Sequence, residues 1–100
     1  MNNNPVLSLL GFAAKAGKLS YGTHASEWAI TSNKAKLVCI CEDISEKSQK
    51  EMKFKAGKVN VPVVILNGIE TEMLSARIGK KCGIVTVNDD GFARSILNHF

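Results

Sequence analysis

GTHASEWAITSNKAKLVCICED, residues 22–43, carries the alternation that decides the fold. Gly22 supplies a turn, Thr23 can cap a helix reaching about Ser32, and Asn33 is a natural stop. Leu37 to Cys41 then forms a continuous apolar run, the pattern of a strand covered on both faces. It reads as a central strand, and it ends abruptly in the acidic pair Glu42 and Asp43.

Upstream, Asn4 and Pro5 read as an N-cap and first helical position, with Val6, Leu9, Leu10 and Ala13 at helical spacing. Gly17 ends that helix, and Leu19 to Tyr21 can make a very short strand. Downstream, Ser45 can cap a third helix with Glu46 near its positive end, and Gly57 closes it. Val63 to Leu66 is another apolar strand, Thr71 to Ile78 a fourth helix, and Ile84 to Val87 a fourth strand. Asn88, Asp89 and Asp90 supply capping groups for a final helix lined on one side by Phe92, Ile96 and Phe100. Strands separated by helices predict βαβ crossovers. The expected object is an α/β protein: a single three-layer α/β/α sandwich around a small mixed, mostly parallel four-stranded sheet.

The 100 residues predict one domain, residues 1–100, and 45% apolar content with two prolines fits an ordinary soluble globular chain. No apolar run approaches the roughly 20 residues of a bilayer span, and the Met1-Asn2-Asn3-Asn4 start lacks signal-peptide character, so a cytoplasmic location is expected. Cys39, Cys41 and Cys82 are an odd number in apolar surroundings, which suits reduced buried thiols. Neither His24 nor His99 has zinc-type spacing to them, so no metal is expected.

The net charge of +4 sits in the first sixty residues, which hold nine lysines against five acids; the remainder holds four basic and four acidic residues. A polyanion would meet the N-terminal part, although so small a charge also fits a merely solvated surface. Lys15, Lys18, Lys34 and Lys36 flank the turns on either side of the second helix, and the reading places them on one basic rim beside that helix's N-terminus. Such a rim would contact phosphates without conferring sequence specificity. His24, just after the Gly-Thr turn, is either an outward base contact or an exposed turn residue. Trp28, one helical turn on, either stacks on a base or packs against the sheet, and partial burial is expected of a chain's only tryptophan.

Motifs for catalysis are missing. The chain has no G-x-G-x-x-G, no phosphate loop and no G-x-S-x-G elbow, so no cofactor and no enzymatic activity are expected. Glu42 and Asp43 are neighbours whose side chains point apart, which favours a loop that caps the third helix over a catalytic pair.

LLGFAAKAGKLSYG at 9–22, KAKLVCICED at 34–43, VPVVIL at 61–66, IGKK at 78–81 and DDGFA at 89–93 together give an order and spacing that resembles a known superfamily. It is the kink-turn RNA-binding superfamily of ribosomal proteins L-seven-Ae and L-thirty-e, most closely its bacterial YlxQ-like branch. The resemblance implies a three-layer fold and a non-catalytic, ribosomal-protein-like RNA binder, monomeric and in a ribosomal setting. Members read a sharply bent RNA with a Gly-x-Asn-Glu-x-x-Lys motif after the first strand. On this chain Gly22 matches, whereas the Asn position holds His24, the Glu position Ala25 and the Lys position Trp28. A basic residue usual near the end of that helix falls on Ser32, and the apolar loop before the last strand falls on Lys80, Lys81 and Cys82; Lys36 and Glu42 are retained. Ala25 offers no acceptor and Trp28 no cation, so RNA binding of altered or relaxed specificity is expected, through Lys15, Lys18, Gly22, Thr23, His24, Trp28, Lys34, Lys36, Glu42, Lys80 and Lys81. The alternative is a protein-interaction scaffold that kept the fold and lost kink-turn recognition.

Overall fold

The computed structural model describes residues 4–100; the Met1-Asn2-Asn3 start read above lies outside the described residues. The elements run α1 (Pro5–Lys15), β1 (Leu19–Tyr21), α2 (Gly22–Thr31), β2 (Leu37–Cys41), α3 (Glu46–Gly57), β3 (Val63–Leu66), α4 (Thr71–Ile78), β4 (Ile84–Val87) and α5 (Asp90–Leu97). Local chemistry sets their limits. The Asn4 side chain accepts the Val6 and Leu7 amides at 2.9 and 3.3 Å, satisfying two of the orphan donors of α1. Asn33 follows α2 in the left-handed region at φ +67°, a conformation that asparagine tolerates and that stops the helix.

The sheet has the order β1-β4-β2-β3. It is mixed, as expected, but only β2 and β3 pair in parallel; β4 runs antiparallel to both β1 and β2. The expectation of a mostly parallel sheet is therefore corrected. The chain enters β4 at the end of the sheet where β1, β2 and β3 finish.

Alternation along β2 divides the core. Leu37, Cys39 and Cys41 face a layer built from α1, α4 and α5, where they meet Leu10, Leu74 and Ile96. Val38 and Ile40 face the other way, onto Ala29 and Ile30 of α2 and Met52 and Ala56 of α3. Each fully buried aliphatic side chain contributes about 1.5–3 kcal/mol relative to exposure, which is why a strand without polar residues takes the centre. All three cysteines are free, and burial pushes the Cys39 thiol well above its ordinary value and the Cys41 thiol to about 12.

Three local expectations are revised. Thr23 lies inside α2 and no side chain caps that helix, whose N-cap is Tyr21. Phe100 is exposed, leaving Ala93 and Ile96 as the buried residues of α5. The acidic pair braces α4 instead of α3: Asp43 accepts both the amide and the hydroxyl of Thr71, at 3.0 and 2.9 Å, while Ser45 caps α3 by itself. No helix among the described residues is long and apolar enough to cross a membrane.

Candidate nucleic-acid interface

Two turns and one loop meet where β1, β2 and β3 end. Tyr21 closes β1, and Gly22, at φ +88°, swings the chain directly into α2, so Thr23, His24 and Ala25 stand exposed on its first turn. The left-handed angle at Gly22 is one that a side chain would strain. Because β4 is antiparallel, the Gly79–Gly83 segment that feeds it arrives at this same end. Lys80 places its ammonium 5.6 Å from the Tyr21 ring centroid. Burial raises the Cys82 thiol, an effect opposed by the Gly22 amide and by the Lys80 charge, which puts the loop against the start of α2.

Glu42 lies at this end too, but its carboxylate is engaged, accepting the Gly68 amide at 2.8 Å. With Asp43 held by Thr71, the acidic pair ties β2 to the β3–α4 turn and is not a free catalytic dyad. An open depression borders Asp43, Thr71, Glu72, Ser75 and Lys81 and takes in neither Glu42 nor His24. No group of three His, Cys, Asp or Glu side chains suited to a metal occurs among the described residues.

The remaining lysines are elsewhere. Lys36 donates its amide to Val87 and the Lys18 carbonyl accepts the Asn88 amide, both at 2.8 Å, so Lys18 and Lys36 flank the finish of β4. Lys15 ends α1 just before Lys18, and Lys34 follows the C-terminus of α2. The four do occupy turns at one end of the sheet, but it is the end opposite Gly22. Roughly 13 Å of β2 separates the two ends, at about 3.3 Å per residue. The rim of four lysines expected beside the N-terminus of α2 therefore lies at the other end of the sheet, and the lysines at the Gly22 end are Lys80 and Lys81.

Trp28 corrects another expectation. It is 59% exposed and not packed on the sheet, because α2 buries Ser26, Ala29 and Ile30 and turns Trp28 outward with His24. The Lys34 ammonium lies 4.6 Å from its ring centroid. The sequence reading missed three features: Tyr21 as the partner of Lys80, the Phe54 ring under the Lys58 ammonium at 4.5 Å, and the ion pair joining Glu27 of α2 to Lys55 of α3. The i, i+4 spacing of Phe54 and Lys58 was a legible signal for the second.

Comparison with known proteins agrees with this architecture. The profile of the ribosomal protein L7Ae/L30e/S12e/Gadd45 family matches residues 5–97. The chain is 34% identical over 93 residues to RNA-binding protein YlxQ of Enterococcus faecium, covering 93% of this chain and 88% of the relative. It is 33% identical to RNA-binding protein YlxQ of Bacillus subtilis strain 168, covering 90% and 89% of the two chains. A Bacillus halodurans protein of unknown function superposes with a TM-score of 0.88 at 30% identity, over 94% of each chain. The Giardia lamblia 15.5kD RNA binding protein shares the fold at a TM-score of 0.74 and 16% identity, over 98% of this chain and 87% of that one.

Proposed function

The chain belongs to the ribosomal protein L7Ae/L30e/S12e/Gadd45 family, and from that premise we propose that it is a non-catalytic RNA-binding protein acting as a single-domain monomer in a ribosomal or related setting. Its primary RNA site is the end of the sheet formed by Gly22, Thr23, His24, Lys80 and Lys81. The observation that carries this reading is the convergence of the α2 N-terminus with the loop feeding the antiparallel β4, which brings exposed first-turn residues beside two lysines. Lys80 and Lys81 supply phosphate contacts, and the uncapped first turn of α2 presents amide donors next to them.

Specificity is altered relative to kink-turn readers. Ala25 has no acceptor for a guanine edge and Trp28 no cation for a phosphate, and a base edge left without its bidentate partner forfeits about 1–3 kcal/mol of discrimination. His24, fully exposed, offers a ring for stacking or a hydrogen bond in their place. Glu42 supports the site as a brace through Gly68, while Lys15, Lys18, Lys34 and Lys36 add long-range attraction from the opposite end.

Filter binding of a kink-turn RNA and of a scrambled duplex, each across a salt series, tests the proposal. The expected result is binding to both that weakens with salt, with only a small preference for the kink-turn. Failure to bind either RNA at low salt would overturn it and leave the scaffold alternative, which predicts capture of protein and not RNA.

A further inference from the structure

The outer surface of the α2 and α3 layer carries features that the sheet-end site does not use. Trp28 and Phe54 are 59% and 65% exposed, on adjacent helices, and each has a lysine ammonium within 4.6 Å of its ring centroid. The Glu27–Lys55 ion pair clamps the two helices together, and Trp28 and Phe54 are the immediate chain neighbours of that pair. Helices packed side by side lie about 8–10 Å apart, so both rings belong to one continuous surface. With Lys55 committed to Glu27, the side of α3 that presents Phe54 still carries Lys47, Lys50 and Lys58 against Glu51.

We infer that this face is a second nucleic-acid surface, one that takes single-stranded RNA by stacking bases on Trp28 and Phe54 and holding the backbone with the α3 lysines. Charge complementarity selects the occupant. Cores of protein interfaces are depleted of lysine, whereas here a lysine stands over each exposed ring. Aromatic platforms set among cations are what an unpaired strand uses, since its bases are free to stack and its phosphates need neutralising; a duplex keeps its bases within the helix. The inference deepens the RNA-binding reading above, and it depends on none of Gly22, Thr23, Lys80 or Lys81.

Trp28 is the chain's only tryptophan, so its fluorescence reports directly on the surface. Titration with a short uridylate oligomer should quench it, with an affinity that falls as salt rises. Phe54→Ala, at an exposed position that leaves the core intact, should weaken the oligomer about tenfold. The double variant Lys80→Ala with Lys81→Ala should leave oligomer affinity within about twofold while impairing structured RNA. Absence of quenching at low salt would overturn the inference, as would a Phe54→Ala protein that binds the oligomer as tightly as the unaltered chain. Retained quenching with no binding of kink-turn or duplex RNA would instead sink only the sheet-end proposal, so the two failures are separable.

Discussion

Lys36 donates its backbone N–H to the carbonyl of Val87 at 2.8 Å, which fixes this lysine at the opposite end of the sheet from Gly22. The lysines around Lys18 and Lys36 and the Lys80–Lys81 loop are therefore separate basic regions, which should contribute differently to RNA binding.

Replacing Lys80 and Lys81 with alanine should lower the slope of log affinity against log salt by about one to two, because each phosphate contact contributes roughly 0.7–0.9 to that slope. Replacing Lys18 and Lys36 should weaken all RNAs together and leave their ratio unchanged. Filter binding of a structured RNA at several salt concentrations distinguishes the pairs. Equal reductions of the salt slope by the two pairs would contradict the division.

Combining His24→Asn, Ala25→Glu and Trp28→Lys builds, on exposed positions of α2, the Gly-x-Asn-Glu-x-x-Lys pattern that the resemblance to kink-turn readers implies. Kink-turn preference over a scrambled duplex should rise at least about tenfold, since one recovered base contact is worth roughly 1–3 kcal/mol. Competition binding measures the ratio, and an unchanged ratio would mean that the first turn of α2 does not read the RNA.

How much of this was legible in the sequence depended on what each residue pattern encodes. The limits of β2 and β3 follow from apolar runs bounded by lysine, proline and turn residues, and the structure has them at Leu37–Cys41 and Val63–Leu66. The direction of β4 was not legible, because Ile84 to Val87 is equally apolar whichever way it runs. The separation of Lys34 from Gly22 could have been foreseen: a ten-residue α2 spans about 15 Å and carries Lys34 away from its own N-terminus. Trp28 departs from expectation because burial tendencies describe residue types, whereas here Ser26, Ala29 and Ile30 take the inward face.

Asp43 should make stability sensitive to acid. Hydrogen bonding from the Thr71 hydroxyl holds its carboxyl below the ordinary value of 3.8 in the folded chain. A depressed folded pKa contributes stability that is present above the unfolded value and lost as pH falls through the folded one. Thermal melts should thus show a smaller loss for Asp43→Asn than for the unaltered chain between near-neutral pH and about pH 3. Identical pH profiles would contradict this role.

Gly83 should not accept a side chain. A Cβ there would lie 2.6 Å from Ile44 Cδ1 and would also press on the Thr71 hydroxyl, which Asp43 holds in place. Gly83→Ala should cost about 1–3 kcal/mol, seen as a drop in melting temperature of at least several degrees. A melting point equal to that of the unaltered chain would show that the Asp43–Thr71 brace yields freely.

Backbone amide chemical-shift mapping during titration with a structured RNA tests the central claim most directly. The account predicts that the largest changes fall on Thr23, His24 and Ala25 together with Lys80, Lys81 and Cys82. Changes confined to the turns bearing Lys15, Lys18 and Lys36, with the start of α2 undisturbed, would contradict it.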